Sequence, residues 1–189
     1  MKKQNSRYYV AELSTMALLA AIACVLVLFT IPFPLFPAFK YDFADIPIFI
    51  AAFSFGPVAG VLVTVVVSLI QAFGLGQDGL MGFMMHVLAT GSFVIVAGCI
   101  YRHRKTRKSA VIALIAGVIT MTVVMCAANY VLDPIFYGMP KEAVAKLIIP
   151  AVLPFNLSKA GINAFITFFV YKSISKLIHK AEGPRIEDK

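Results

Sequence analysis

Three polar residues in the last quarter of the chain have the types and the spacing to bind a small molecule. Asn156, Lys159 and Asn163 occupy positions i, i+3 and i+7 of an apolar stretch, and this spacing aligns side chains along one face of a helix. An ionised lysine in the middle of a membrane helix costs about 2.5–3.5 kcal/mol on insertion scales, so its presence needs a reason. We interpret the three residues as a stripe of hydrogen-bonding groups that faces a ligand.

The same stripe also has a purely structural interpretation. Lys159 could form an ion pair across helices with an acidic residue such as Asp133 or Asp45, and the asparagines could join that contact. Three such groups on one face exceed what a contact of this kind needs, so we favour the ligand-facing interpretation. The sequence leaves both interpretations open.

Further polar residues lie inside other apolar stretches, where each needs a partner or a function. Asn129 and Asp133 lie near the end of one stretch, and His86 and Thr90 are spaced i, i+4 in another. We interpret Asn129, Thr90 and Asp133 as candidate ligand contacts, whereas a lone histidine in a helical bundle is more often a packing residue. Because the other halves of these stretches are almost purely apolar, the pattern favours a one-sided pocket over a channel or a proton relay.

Aromatic residues provide the expected wall of such a pocket. The chain contains 16 Phe and 7 Tyr but no Trp, and residues 30–45 form an apolar, proline-rich connection. We interpret this connection as a lid over the pocket, although anchoring of Phe and Tyr at the membrane interface is an alternative. Phe39 and Tyr41 are then expected to line an apolar slot that suits a flat heteroaromatic ligand.

The composition indicates a membrane protein. The chain has 189 residues, of which 60% are hydrophobic and only 14% are charged, whereas a soluble domain contains about 25% charged residues. A membrane-spanning helix needs about 20 apolar residues, so six spans would use nearly all of the apolar residues. We therefore expect an all-α membrane protein with a single transmembrane domain over residues 1–189.

Six spans account for both the apolar stretches and the basic residues. The predicted spans are residues 11–31, 46–55, 58–73, 79–101, 109–132 and 151–174, followed by a basic tail at residues 175–189. The pair Gly56-Pro57 divides the second stretch into two helices, because proline ends a helix and glycine permits a tight reversal. With six spans the main basic clusters share one face of the plasma membrane, and the positive-inside rule places both termini in the cytoplasm. The net charge of +8 is thus a topology signal and does not indicate binding to nucleic acid.

The motifs of soluble enzymes are missing or out of context. The segment Gly74-Leu-Gly76-Gln-Asp-Gly79 matches G-x-G-x-x-G, but it joins two apolar stretches and we interpret it as a turn. The sequence contains no P-loop motif and no cysteine or histidine spacing typical of a metal site. We therefore expect neither an enzyme nor a bound cofactor or metal. Two further classes remain open: an intramembrane enzyme acting on lipid, with His86 and Asp133 as acid/base pair, and a passive channel.

The first apolar stretch carries a possible docking surface. Ala17 and Ala21 are four residues apart, and small residues at this spacing let another helix backbone approach closely. Packing against a neighbouring helix of the same chain is the alternative.

These features together resemble the substrate-binding subunit of an energy-coupling factor (ECF) transporter, and within that family the riboflavin-specific subunit. The resemblance covers nearly the whole chain. The segments that carry it are Lys40-Tyr-Asp-Phe-Ala-Asp45-Ile-Pro47, Phe55-Gly-Pro-Val-Ala-Gly60, Asn129-Tyr130 with Pro134 and Tyr137, and Pro154-Phe-Asn156-Leu-Ser-Lys159.

The resemblance implies a bacterial six-helix bundle that holds riboflavin in its outer half, with Asn156 and Lys159 hydrogen-bonded to the vitamin. Riboflavin would be cargo rather than a cofactor, and flavin mononucleotide is a second candidate ligand. Ala17 and Ala21 would dock on a transmembrane coupling subunit, and two cytoplasmic ATPases would drive uptake. Another vitamin, such as thiamine or pantothenate, remains an alternative. The chain departs from the family where relatives often carry Lys-Asn near the outer end of the third helix, since Gln71-Ala-Phe73 stands there.

Overall fold

The computed structural model describes residues 2–182, with side chains for residues 9–37 and 39–174. The predicted tail at residues 175–189 lies outside the described side chains, and residues 183–189 lie outside the described chain. The elements are α1 (Lys2–Val27), β1 (Ile31–Phe33), β2 (Phe36–Tyr41), α2 (Asp45–Phe55), α3 (Pro57–Leu69), α4 (Gly79–His103), α5 (Arg107–Tyr137), α6 (Lys141–Leu147) and α7 (Leu153–Glu182). A π-helical turn at Ile70–Gly74 follows α3, and a second π-helical turn at Ile148–Val152 precedes α7.

Within the described part of the chain, five helical stretches are long and apolar enough to cross a membrane. They are Tyr9–Val27, Pro57–Gly74, Gly79–His103, Arg107–Tyr137 and Lys141–Ile174. The remaining predicted span corresponds to α2, which has 11 residues. At about 1.5 Å per residue it is shorter than a hydrocarbon core of about 30 Å. The all-α membrane bundle is therefore as predicted, with the short α2 in the place of one of the six predicted spans.

The short helix α2 lies inside the bundle rather than at its surface. Every residue from Asp45 to Ser54 is buried, and α2 contacts α1, α3, α4 and α7. The chain reverses between α2 and α3 at Gly56, whose φ of 101° favours glycine. Pro57 then occupies the first turn of α3, where its missing N–H leaves no intrahelical hydrogen bond unmade. The break predicted from Gly56-Pro57 is present.

The connection between α1 and α2 is more regular than a loop. Strands β1 and β2 pair as an antiparallel hairpin, with Ile31 opposite Tyr41 and Pro32 opposite Lys40. A two-stranded hairpin has free edges on both sides, and proline is tolerated in edge strands because it has no N–H to pair. The prolines are thus compatible with a hairpin, which the sequence analysis did not predict.

Several helix ends differ from the predicted spans. Helix α1 begins at Lys2 and ends at Val27, so the predicted span 11–31 was displaced towards the hairpin. Helix α5 includes Pro134 and continues to Tyr137, beyond the predicted end at residue 132. Proline is tolerated in membrane helices because neighbouring groups satisfy the freed backbone. Gly138, with a φ of 65°, then ends the helix in the left-handed conformation.

Small residues allow the helices around α2 to pack closely. A Cβ atom added to Gly60 of α3 would lie 2.6 Å from the Cβ atom of Ala52 in α2. On the neighbouring side, the rings of Phe49 and Phe93 stack with their centroids 3.7 Å apart. Inside a bilayer such van der Waals contacts stabilise helix association, since lipid and protein side chains are similarly apolar.

We expect Gly60→Ala to destabilise the protein by about 1–3 kcal/mol, because the added methyl group overpacks the contact with Ala52. The measurement is the thermal unfolding midpoint in detergent. Gly161→Ala is the matched control, since a Cβ at Gly161 would meet nothing within 4 Å. Equal effects of the two substitutions would show that α2 and α3 do not depend on close packing at Gly60.

Candidate functional site

The hairpin lies over the beginning of α7. The ring of Phe155 stacks on Phe39 of β2 with centroids 4.8 Å apart, and it meets Phe33 of β1 edge-on at 5.4 Å. Phe155 directly precedes Asn156 in the sequence. These contacts hold the hairpin next to the start of the predicted polar stripe.

Two carboxylates lie close to Lys159, that of Asp42 between β2 and α2 and that of Asp45 at the start of α2. The Nζ atom of Lys159 donates to Oδ2 of Asp42 at 2.9 Å and lies 3.8 Å from Oδ2 of Asp45. All three side chains are buried, at 12%, 5% and 0% exposure respectively. The backbone N–H of Ala44 donates to Oδ1 of Asp42 at 3.0 Å, which orients that carboxylate just before α2 begins.

Asp45 connects α2 to two further helices. The hydroxyl of Thr90 in α4 donates to Oδ1 of Asp45 at 2.6 Å, and Nδ2 of Asn163 in α7 donates to Oδ2 at 3.1 Å. Asp45 lies in the first turn of α2, where the free backbone N–H groups of the helix favour a negative charge. The carboxylate is therefore stabilised by Lys159, by two hydrogen bonds and by its position in the helix.

His86 joins Asp45 to α3. Its Nε2 atom lies 3.4 Å from Oδ1 of Asp45, and its Nδ1 atom lies 2.9 Å from the hydroxyl of Ser68. The only proton of Ser68 is donated to the carbonyl of Thr64 at 2.6 Å. Ser68 thereby links the imidazole of His86 to the backbone of α3.

Tyr41 closes the cluster beneath the hairpin. Its hydroxyl donates to Oδ1 of Asn163 at 2.7 Å, and Nδ2 of Asn163 also contacts the carbonyl of Asp42 at 3.2 Å. Burial raises the pKa of Tyr41 to about 12, with smaller contributions from the carboxylates of Asp45 and Asp42. The hydroxyl therefore stays protonated at physiological pH and keeps its role as a donor.

The two other predicted asparagines are buried but make local hydrogen bonds. Nδ2 of Asn129 donates to the carbonyl of Met125 at 2.7 Å, and Nδ2 of Asn156 donates to the carbonyl of Val152 at 2.8 Å. Each bond uses one donor within the residue's own helix. The side-chain oxygens receive no hydrogen bond from any side chain that the structure describes, and both remain acceptors.

The structure brings together most of the predicted site residues. Lys159, Asn163, Tyr41 and Thr90 belong to one buried polar cluster, and Phe39 packs above it. The ion pair that formed the second interpretation of the stripe is present, with Asp42 nearer to Lys159 than Asp45. Asp133 of α5 is half-buried and forms no ion pair with the described residues.

Besides Asp45 and His86, which the sequence offered only as an ion-pair partner and a packing residue, three polar residues of this region were not among the predicted site residues. They are Asp42, Ser68 and Gln71. The sequence contains an indication of the role of Asp42, because Asp42 is a second acidic residue in the apolar connection that also holds Asp45. The Oε1 atom of Gln71 is buried without a partner among the described residues, and it lies in the π-helical turn after α3, a feature frequent at functional sites.

Ala17 and Ala21 of α1 face away from the bundle. Ala17 and Ala21 are exposed, whereas Ala20 and Ala23 on the other side of the helix are buried. Of the five long spans, α1 has the smallest buried share. Ala17 and Ala21 therefore do not pack against another helix of this chain.

The fold and the polar cluster together define a class of protein. A bundle of membrane helices with a one-sided set of buried polar groups under a hairpin is typical of membrane proteins that hold a solute between their helices. A family model described as the substrate-specific component of ECF transporters matches residues 12–171. The chain belongs to this family, and it is a multi-pass protein of the plasma membrane.

Relatives and a solved structure agree with this assignment. The riboflavin transporter RibU of Staphylococcus aureus (strain TCH60) is 31% identical over 186 residues, covering 94% of this chain and 95% of the relative. The riboflavin transporter FmnP of Bacillus subtilis (strain 168) is 26% identical over 187 residues, covering 94% and 98%. A structure described as the S component of a bacterial ECF transporter has a TM-score of 0.76 and 34% identity, covering 93% of this chain and 98% of that one.

We expect Lys159→Ala to lower stability by about 3–5 kcal/mol, because it leaves two buried carboxylates without their cation. Adding Asp42→Asn should recover part of the loss, since it removes one of these charges. Thermal unfolding of both single variants and the double variant gives the coupling free energy. Strict additivity would contradict the ion pair. Thr167→Val is the control, because the Thr167 hydroxyl bonds only the carbonyl of Asn163 in its own helix.

Proposed function

We propose that this chain is the riboflavin-binding subunit of an ECF transporter, which captures the vitamin at the outer face for ATP-driven uptake. The observation that carries the proposal is the likeness, along nearly the whole chain, to proteins named riboflavin transporters. The buried polar cluster beneath the hairpin supports it, because this cluster gathers hydrogen-bonding groups in the outer half of the bundle, next to the lid.

The polar groups suit the polar half of riboflavin. The ribityl chain carries hydroxyl donors, and the side-chain oxygens of Asn129 and Asn156 are acceptors that their own helices do not use. Lys159 adds an N–H donor, because an ammonium group has three and the contact with Asp42 uses one of them. We assign Asn129, Asn156 and Lys159 to the ribityl chain, with Thr90, Asn163 and Asp133 as further polar contacts.

The aromatic residues suit the flat ring system of the same ligand. Phe39 of β2 already stacks on Phe155 of α7, and an isoalloxazine ring could take the place of one stacking partner. Tyr41 would then lie between the ring and the other members of the polar cluster. Movement of the hairpin away from α7 would open the site, so the hairpin serves as the lid. Among the described residues of the site, Lys159 is a cation but no cluster of cations for a phosphate is present; flavin mononucleotide is a second candidate ligand to be tested.

Partner subunits would supply the energy for riboflavin uptake. The chain contains no P-loop motif, so ATP hydrolysis is assigned to two cytoplasmic ATPase subunits. A transmembrane coupling subunit would dock on α1, where Ala17 and Ala21 are exposed and permit close approach of another helix. This chain itself would perform no reaction, and riboflavin would be its cargo rather than a cofactor.

Lys159→Ala is expected to weaken riboflavin binding at least about tenfold, or about 1.4 kcal/mol, because a donor to the ligand is lost. Quenching of riboflavin fluorescence by the purified protein measures the dissociation constant. The double variant Lys159→Ala/Asp42→Asn distinguishes a lost ligand contact from misfolding. It should be more stable than Lys159→Ala alone, but its affinity for riboflavin should stay low. Thr167→Val should bind like the parent chain. Unchanged affinity in Lys159→Ala would show that Lys159 does not contact the ligand. Displacement of riboflavin by thiamine or pantothenate would contradict the assignment of riboflavin as the ligand.

Ala21→Trp is expected to abolish riboflavin uptake by cells while the purified variant still binds riboflavin. The indole would block the approach of a partner helix without entering the core, since Ala21 is exposed. Leu18→Trp is the matched control, because Leu18 is also exposed but is already large. Loss of binding by Ala21→Trp would place Ala21 in the internal packing, and equal loss of uptake in both variants would contradict docking at the alanines.

A further inference from the structure

A cavity of about 480 Å³ lies at the opposite end of the bundle from the hairpin. Three basic residues line it: Lys105 and Arg107, at the connection between α4 and α5, and Lys172 of α7. The positive-inside rule places this connection on the cytoplasmic side. The cavity is therefore separate from the proposed riboflavin site and faces the inner leaflet of the membrane.

The deep wall of the cavity is a fixed aromatic cluster. The ring of Phe53, at the end of α2, stacks on Tyr101 with centroids 4.6 Å apart. Tyr171 meets both rings edge-on, at 5.5 and 5.8 Å, and its hydroxyl contacts the carbonyl of Phe53 at 3.3 Å. A wall built this way offers a preformed apolar surface with hydroxyl groups at the membrane interface, where tyrosine is commonly found.

The rim of the cavity is positively charged, and no acidic residue lines the cavity among the described residues. Lys105, Arg107 and Lys172 are exposed. None of the three forms an ion pair with the side chains that the structure describes. The three cations therefore repel one another and would be stabilised by an anion placed between them.

The cavity also opens towards the acyl chains of the bilayer. Phe169 lines it and is 60% exposed. Phe165, one turn earlier, is 66% exposed and packs on Phe169 with centroids 4.9 Å apart. In a membrane helix these exposed rings contact lipid. The site thus combines a basic rim at headgroup depth with an apolar flank at acyl depth.

We propose that this cavity binds an anionic phospholipid of the cytoplasmic leaflet. Its phosphate would lie between Lys105, Arg107 and Lys172, and one acyl chain would lie along Phe169. Basic pockets between helices on the cytoplasmic side are suited to acidic headgroups. The first N–H groups of α5, which begins at Arg107, add donors at the same place. A soluble anion would satisfy the rim but would leave the apolar flank unused.

The test compares lipid binding by the full chain and by two charge-matched variants. Binding of phosphatidylglycerol and of phosphatidylcholine with identical acyl chains is measured in detergent by native mass spectrometry, with inorganic phosphate as the soluble anion. Arg107→Gln combined with Lys172→Gln removes two cations of the rim. Arg104→Gln combined with Lys108→Gln removes two exposed cations of the same connection that do not line the cavity.

We expect the rim variant to bind phosphatidylglycerol about tenfold more weakly, while the control variant binds it like the parent chain. Equal weakening in both variants, or no preference for phosphatidylglycerol over phosphatidylcholine, would overturn the proposal. If inorganic phosphate displaces the lipid, the site takes free anions and the lipid assignment fails. Equal unfolding midpoints in phosphatidylcholine would show that the variants are folded, independently of riboflavin binding.

Discussion

The buried contact between Lys159 and the two aspartates determines how the outer half of this protein is arranged. A cation and two carboxylates cannot remain unpaired in an apolar environment, because the free energy of desolvation is too unfavourable. Asp42 lies between the hairpin and α2, Asp45 is the first residue of α2, and Lys159 lies in α7. The ion pair therefore holds the end of the hairpin and the start of α2 against α7.

The rest of the bundle makes room for this contact. Helix α2 is short and buried, so it begins inside the bundle rather than at the membrane surface. Its close packing on α3 at Gly60 and the stacked rings of Phe49 and Phe93 fix its position. Asp45 at its start can then reach α4 and α7 together. A ligand under the hairpin would compete for polar groups that already hold the helices together. Ligand binding would therefore be coupled to movement of the hairpin lid.

The sequence predicted the helices and the polar stripe because both follow from local patterns. Apolar length, the Gly56-Pro57 break and the i, i+3, i+7 spacing are all visible over a few residues. The partner of Lys159 was not determined in this way, since Asp42 is 117 residues distant in the chain and Asp45 and Asp133 were equally plausible. The hairpin was missed because its prolines resembled a loop. Neither helix periodicity nor composition predicts that a proline-rich segment will pair with itself and pack on Phe155.

If this chain alone forms a site for riboflavin in the outer half of the membrane bundle, the purified protein retains the vitamin. The most direct measurement is the visible absorption spectrum of the detergent-purified protein before and after denaturation. A flavin spectrum close to one riboflavin per chain, with the flavin released on denaturation, is the result that this account predicts. A colourless protein that also fails to quench the fluorescence of added riboflavin would contradict it.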